Sequence, residues 1–271
     1  MIKIFKNLRQ KLLQENKTVG YLKYAIGEIV LVVIGILIAL QVNNWNTARK
    51  NNQSEVAYLK NLKNDLIKQK QDLKTYKIIE RQYFANGEKI KNLYSETQGF
   101  EKLDSLFIWL NSMMTRITFR SSNTTFTELS SSGNLNLIHN DALKKNLVAY
   151  YQQLERFTSI TEKNNTNLVD GTFDKNIFPL TIFGDQYLSN SVKLVINMDS
   201  LSQKKMDYSH FKPYISAQLK LPENQLKILN MVNLRIFISY AHVQFYDQID
   251  RTTTALIDSI NEEIKAISNH D

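Results

Sequence analysis

The chain has 271 residues, 43% of them hydrophobic and 22% charged, with a formal net charge of +8. It contains no cysteine, which excludes disulfides, thiolate nucleophiles and Cys-ligated zinc or iron–sulfur sites. With only eight glycines and three prolines to break long polar–apolar mixtures, the composition predicts an all-α fold of long helices.

Charge is concentrated at the head. Residues 1–42 hold six basic and two acidic side chains; the remaining 28 basic and 24 acidic ones leave the body mildly basic and mixed. No concentrated basic stripe appears, so no nucleic-acid partner is expected. In the head, residues 1–23, Ile2, Phe5, Leu8, Leu12 and Leu13 recur at helical spacing among Lys3, Lys6, Arg9 and Lys11. That pattern predicts a short basic amphipathic helix lying on an anionic cytoplasmic leaflet.

Residues 24–45 form the predicted anchor. From Ala25 to Val42 every residue is apolar or Gly except Glu28 and Gln41. Eighteen residues at about 1.5 Å each span roughly 27 Å, close to the hydrocarbon core of a bilayer. No small-x-small cleavage pattern follows, so the segment reads as an uncleaved signal anchor bracketed by Tyr24 and Trp45. Six basic residues precede it, while only Arg49 and Lys50 follow before Lys60. This asymmetry predicts a cytoplasmic N-terminus in the inner membrane and a periplasmic body. Gly27, Gly35 and Ala39 fall at multiples of four and form, with Glu28, a candidate helix-association face within the membrane. Glu28 lies about one turn inside the cytoplasmic end, where a carboxylate snorkels or pairs with Lys23, or serves assembly or proton coupling.

The body, residues 46–271, is expected to form an antiparallel bundle of about four helices. The anchor helix continues outward to about residue 95. Leu59, Leu62, Leu66, Gln69, Leu73, Tyr76, Glu80, Tyr83, Gly87, Ile90 and Tyr94 follow alternating steps of three and four, a heptad seam interrupted at Gln69, Glu80 and Gly87. Packing within one subunit is the expected use of that seam; an intermolecular coiled coil is the alternative. Thr97-Gln98-Gly99 breaks it. Short helices are predicted at about 101–114 and 124–132, joined by a polar loop from Arg116 to Asn123. Gly133 closes the second in a left-handed conformation. Its opening hydroxyls, with Glu128 near the first turn, are expected to cap it.

A further helix is capped by Asn140 or Asp141, with its seam on Leu143, Leu147, Tyr150, Leu154, Phe157, Thr161, Asn164 and Leu168. Asp170-Gly171 ends or kinks it, and Phe173, Ile177 and Phe178 extend it toward Pro179. Residues 179–222 are irregular and collect all three prolines; a connection of that length is commonly functional or disordered. Val192–Met198 is β-rich in type but short. Pro222 opens the last helix. Its expected seam is Leu226, Leu229, Asn233, Ile236, Tyr240, Val243, Asp247, Asp250, Thr254 and Ile257, then Ile260, Ile264 and Ile267. No second apolar run of 18 follows, so the chain is not expected to recross, and the C-terminus should return toward the membrane surface.

Two stretches carry a resemblance. MIKIFKNLRQKLLQENK with YAIGEIVLVVIGILIALQVNNWN resembles the N-terminus of a large group of uncharacterised single-pass membrane proteins of Bacteroidota. TTFTELSSSGNLNLIHN, Thr124–Asn140, is similar to the second recurring motif of that group. The resemblance implies a place in the bacterial envelope and brings with it no activity and no catalytic residue.

No arrangement predicts catalysis. Ser131-Ser132-Gly133 is half of a nucleophile elbow, but Leu129 stands where the first glycine belongs, so the hydroxyls read as turn groups. His242, Tyr246 and Asp250 share a helix face, yet no second histidine joins them, so no metal and no cofactor are expected. Tyr150, Tyr151, Phe157, Tyr240, Phe245 and Tyr246 read as bundle core. Arg116 and Arg120, four apart beside Glu128 and Asn134, are candidates for contact with an anion or a partner. The expected function is therefore non-enzymatic: a membrane-anchored interaction or scaffold module that binds partner proteins or its own copies. The alternative is an extracytoplasmic sensor of a small ligand that signals through a partner.

Overall fold

A computed structural model of the protein describes residues 18–187 and 207–269. The basic head expected over residues 2–19 falls almost wholly outside these residues, as do Val192–Met198. Within the described residues the fold is all-α, with no strand. The chain divides into two compact units, Met1–Ala57 with Ile267–Asp271, and Tyr58–Ala266.

Helix α1 runs unbroken for 80 residues, Thr18–Thr97. In the first unit it carries the apolar run, whose richest window has a mean hydropathy of 2.6 and no residue buried within the protein. Ile29, Leu31, Leu37, Ile38 and Trp45 are all exposed. A Cβ added at Gly27 or Gly35 would meet nothing within 4 Å, so this face is open along the helix. The helix is long and apolar enough to cross a membrane.

The second unit is built on three long helices and a broken return. After α1 come α2 (Leu103–Met114), α3 (Thr124–Ser131) and α4 (Asp141–Lys163). Helix α4 passes into an 11-residue π-helical segment, Asn164–Asp174. Helix α5 (Lys212–Leu219) lies in the connection expected to be irregular, and α6 (Pro222–Ser268) closes the unit. Lys70 meets Asp250, Lys77 meets Asp247 and Asp250, and Tyr94 meets Gln225, so α1 and α6 run antiparallel. Asn140 meets Glu263, Tyr150 meets Thr253, and Phe157 meets Phe245, so α4 and α6 are antiparallel as well. Between them the chain returns along α1: Thr115 touches Tyr83, Ser122 touches Gln69, and Asn134 touches Tyr58.

The α1 seam lies where its heptads place it. Leu59, Leu62, Leu66, Leu73, Tyr83 and Ile90 are buried, and so are all three interruptions. Each interruption has a use. Gln69 Oε1 accepts the Ser122 amide at 2.7 Å. Glu80 pairs with Arg235 and His242 of α6. At Gly87 an added Cβ would stand 2.5 Å from Ile236 Cγ1, so glycine is what lets α1 and α6 approach there.

The α6 seam is displaced from the expected row. The buried side is Asn224, Ile228, Val232, Arg235, Ile238, Ser239, His242, Tyr246, Ile249, Thr253, Leu256 and Ile260. Leu226 and Tyr240, expected inside, are exposed. Two rows on this helix satisfy the same three-four spacing, and the inner one is the more polar because it faces Glu80 on α1.

On α4 the seam holds through Thr161 and then shifts by one. Wider π-helical winding buries Asn165, Val169, Phe173 and Ile177 in steps of four, instead of Asn164 and Leu168. Gly171 eases this winding, since a Cβ there would lie 3.1 Å from the Thr166 carbonyl oxygen. Phe178, expected to extend the seam, is exposed in a 3-10 turn with Pro179. The stretch from Arg116 to Asn123 is irregular, as expected, but not merely polar. Phe119 is fully buried and packs edge-on against Tyr76 and Phe157, with centroids 5.6 and 6.4 Å away.

Helix α3 is capped differently from expectation. No side chain of its own N-terminal turn caps it. The Thr125 amide donates instead to Asp65 Oδ2 of α1 at 2.9 Å, a cap supplied by the neighbouring helix. Gly133 does adopt φ 74° after α3, and the Asn140 side chain caps α4 by accepting the Leu143 amide at 3.0 Å.

Candidate functional site

Glu80, Arg235, Ser239 and His242 lie at most 1% exposed in the middle of the second unit. Ionised side chains so deeply buried persist only when paired and hydrogen-bonded. Here the pairing is complete. Glu80 Oε1 stands 2.8 Å from His242 Nδ1, and Oε2 stands 3.4 Å from Arg235 Nη1. Arg235 also donates through Nε to the Met113 carbonyl at 3.1 Å, and through Nη1 to Ser239 Oγ at 3.0 Å. Its Nη2 donates to the Thr115 carbonyl at 3.4 Å, and its guanidinium lies 4.1 Å from the Tyr83 ring centroid. Burial pushes the Glu80 carboxyl toward protonation, but Arg235, His242 and Ser239 prevail and hold it below the usual carboxylate range.

His242 links this cluster to the π-helical segment. Its Nε2 lies 3.2 Å from the Asn164 amide nitrogen, which can only donate. The imidazole thus bridges Glu80 of α1 and Asn164 of the π-helical segment. Asn165 Nδ2 donates to the Ile117 carbonyl at 3.0 Å, while its Oδ1 is buried with no partner. Asp174, at the end of the same segment, has one buried oxygen without a partner. Burial, reinforced by Asp170, raises its pKa to about 6 against the opposing pull of Arg235 and Arg116.

A second feature is an open groove of about 750 Å³ along α3 and α4. Phe126 and Tyr151, stacked 4.1 Å apart, line it, with hydroxyls from Thr127, Ser131 and Ser159 and carboxylates from Glu155 and Glu162. The Tyr151 hydroxyl is buried without a partner, and burial raises its pKa. The groove is built largely from the Thr124–Asn140 motif and the helix that follows it.

The four residues chosen from sequence as an anion or partner contact do not converge on one site. Arg116 Nε binds Asp170 Oδ1 at 2.6 Å. The Arg120 backbone hydrogen-bonds the Tyr76 side chain. Glu128 and Asn134 are brought together, on the Tyr58 hydroxyl, at 3.2 and 3.3 Å. Ser132 Oγ donates to the Glu128 carbonyl at 2.7 Å, the turn role its sequence suggests. Of the His242–Tyr246–Asp250 face, the first two are buried, while Asp250 turns to Lys77 and Lys70. Arg235 was not legible as a site residue: the signal for it is a lone arginine four residues before Ser239 and seven before His242, on the less apolar row of α6.

Residues 28–182 match the model of a family described as a family of unknown function, DUF6090. The matched span holds most of the anchor, α1 from residue 28 onward, α2 to α4 and the π-helical segment, with Glu80 and Asn164; Arg235 and His242 lie beyond it. No curated protein and no solved structure matches the chain. The chain belongs to this DUF6090 family.

Proposed function

From membership of a family with no assigned activity, and from the geometry above, we propose that the protein is a non-enzymatic, membrane-anchored interaction module of the bacterial envelope. In this reading α1 is the anchor. Its N-terminus lies in the cytoplasm, and the second unit lies on the periplasmic face of the inner membrane, where it binds partner proteins or further copies of itself. The carrying observation is that one unbroken helix bears both an unburied bilayer-length apolar run and the buried seam of a helical bundle. Further support comes from the six basic residues before the run and from the likeness of residues 1–46 and 124–140 to envelope proteins of Bacteroidota. The core's polar groups also favour a structural role, since both oxygens of Glu80 and both ring nitrogens of His242 are engaged by other side chains.

The test is protease accessibility of a C-terminally tagged chain. Digestion of the second unit in spheroplasts, with no digestion in intact cells, supports the reading. Protection until the inner membrane is lysed, or recovery of the tag in the soluble fraction, removes it. A partner is then sought by affinity purification from membranes.

One observation favours a second reading, that of an extracytoplasmic sensor. The α3–α4 groove offers an aromatic pair, several hydroxyls and two carboxylates, a lining suited to a hydroxylated or cationic small ligand. Thermal-shift measurements with amino acids, polyamines and sugars test it. A rise in Tm that Glu155→Gln abolishes supports the sensor; flat responses across the panel remove it.

A further inference from the structure

Helix α6 presents two rows at heptad-like spacing, and the bundle uses only one. The outward row is Leu226, Asn230, Asn233, Phe237, Tyr240 and Gln244, every member exposed. Phe237 is 69% exposed and Tyr240 56%. Ile236 and Val243 flank them, half-buried. Phe84 of α1 stands seven residues beyond Lys77, hence on the helix face that meets α6, and is itself partly exposed.

Charge is absent from this row. Between Lys227 and Asp247 the only ionisable residues of α6 apart from Tyr240 and Tyr246 are Arg235 and His242, and both point inward. In a chain that is 22% charged, a run this long without exposed charge is a surface that another copy can meet without self-repulsion. The polar members of the row are amides, each both donor and acceptor, so each can pair with its own counterpart across a two-fold axis.

Area sets the strength. With about 200 Å² for a fully exposed aromatic side chain, Phe237, Tyr240, Leu226 and Phe84 together present on the order of 400 Å². That reaches the range of interaction patches on monomers, yet is about half of the ~800 Å² per partner in a stable complex. A contact of this size is weak between free molecules. It becomes significant when both copies are held in one bilayer, where effective concentration is high and both point the same way.

We propose that the outward row of α6, centred on Phe237 and Tyr240, is a self-association surface that pairs two membrane-anchored copies in parallel. The proposal rests on the anchored reading above and names its partner as a second copy of this chain.

Because the chain has no cysteine, single-cysteine cross-linking of the full-length protein in liposomes tests it cleanly. Asn233→Cys and Gln244→Cys lie on the row and leave its aromatics intact; Lys74→Cys and Lys145→Cys are exposed elsewhere. Mild oxidation should give disulfide dimers at positions 233 and 244, at least fivefold more than at 74 and 145. Adding Phe237→Lys and Tyr240→Lys to Asn233→Cys should reduce the dimer at least fivefold while the helical melting curve stays unchanged. Equal cross-linking at all four positions would mean random collision and overturn the proposal, as would a monomer at 233 and 244. Dilution into detergent micelles should weaken the row-specific dimer; one that persists unchanged at nanomolar protein would overturn the argument from area. None of these outcomes depends on which side of the membrane the bundle occupies, so failure here is distinct from failure of the protease test.

Discussion

The imidazole of His242 and the carboxylate of Glu80 meet 2.8 Å apart, from α6 and α1, in the same cluster where Glu80 also meets Arg235. This contact ties two antiparallel helices together through groups that are costly to bury singly. Glu80→Leu leaves the Arg235 guanidinium with carbonyl and hydroxyl partners but no counter-charge. The expected cost is about 3–5 kcal/mol, a fall in Tm on the order of 10 °C. Arg235→Met should cost a similar amount. The double variant Glu80→Leu/Arg235→Met should recover most of the loss, because a neutral core replaces a broken ion pair. Thermal melts of the four proteins check this; strictly additive losses would contradict it.

The two carboxyls of the polar region respond oppositely to pH. For Glu80 the folded pKa lies below the ordinary value, so its stabilisation is complete above the unfolded pKa and is lost as pH falls through the lower folded value. For Asp174 the folded pKa is raised to about 6, so the folded state binds the proton more tightly and stability declines as pH climbs from about 4 toward 6. Ionised Asp174 is therefore a burden at neutral pH. A shift of about two units corresponds to ~3 kcal/mol at full burial, and partial solvent access reduces this to about 1 kcal/mol. Asp174→Asn should raise Tm by a few degrees at pH 7.5 and change it little at pH 4. Melting both proteins across that range is the measurement.

Gly87 tests helix proximity. In an open helix Gly→Ala is favourable by about 1 kcal/mol. Here the new methyl would overlap Ile236, and overpacking of that kind costs about 1–3 kcal/mol. Gly87→Ala should thus be destabilising by up to about 2 kcal/mol despite its helix propensity. In the Ile236→Ala background the same substitution should become neutral or stabilising, because the opposing atoms are gone. Denaturant midpoints for the four proteins decide it.

Asn140 closes a corner. Its Oδ1 accepts the Leu143 amide at 3.0 Å and its Nδ2 donates to Glu263 at 2.6 Å, so one side chain caps α4 and binds it to α6. Asn140→Ala should cost about 1–2 kcal/mol, and Asn140→Asp should retain the cap while repelling Glu263. Tm values ordered wild type, Asp, Ala would show that the cap dominates; Ala above Asp would give the larger part to the Glu263 contact.

Much of this architecture is legible in the amino-acid order, for physical reasons that vary by helix. On α1 a single row is apolar enough to be the seam, so Leu59 through Ile90 are unambiguous, and Glu80 stands out as an anomaly. On α6 the row of Leu226, Leu229, Ile236, Tyr240 and Val243 is as apolar as the one that is buried. Arg235, Ser239 and His242 make the inner row look like a surface. Only knowledge that Glu80 needs a partner across the interface distinguishes the two, and that is a relation between residues 155 positions apart. The membrane run, the cap at Asn140 and the helix start at Pro222 are local and readable. The cap that Asp65 lends to α3 is not, since nothing near Thr125 specifies it.

The π-helical segment stores slack. Its wider turns consume residues that a regular helix would spend on advancing, and so they set the angular phase of everything downstream. Excising one residue between Asn164 and Asp174 would tighten the coil and swing Phe173, Ile177 and Leu180 by roughly 100°. Three greasy side chains would then point at water, while Asn164, upstream of the cut, would keep its place beside His242. A polypeptide with such a segment tolerates point exchanges there far better than any change in count.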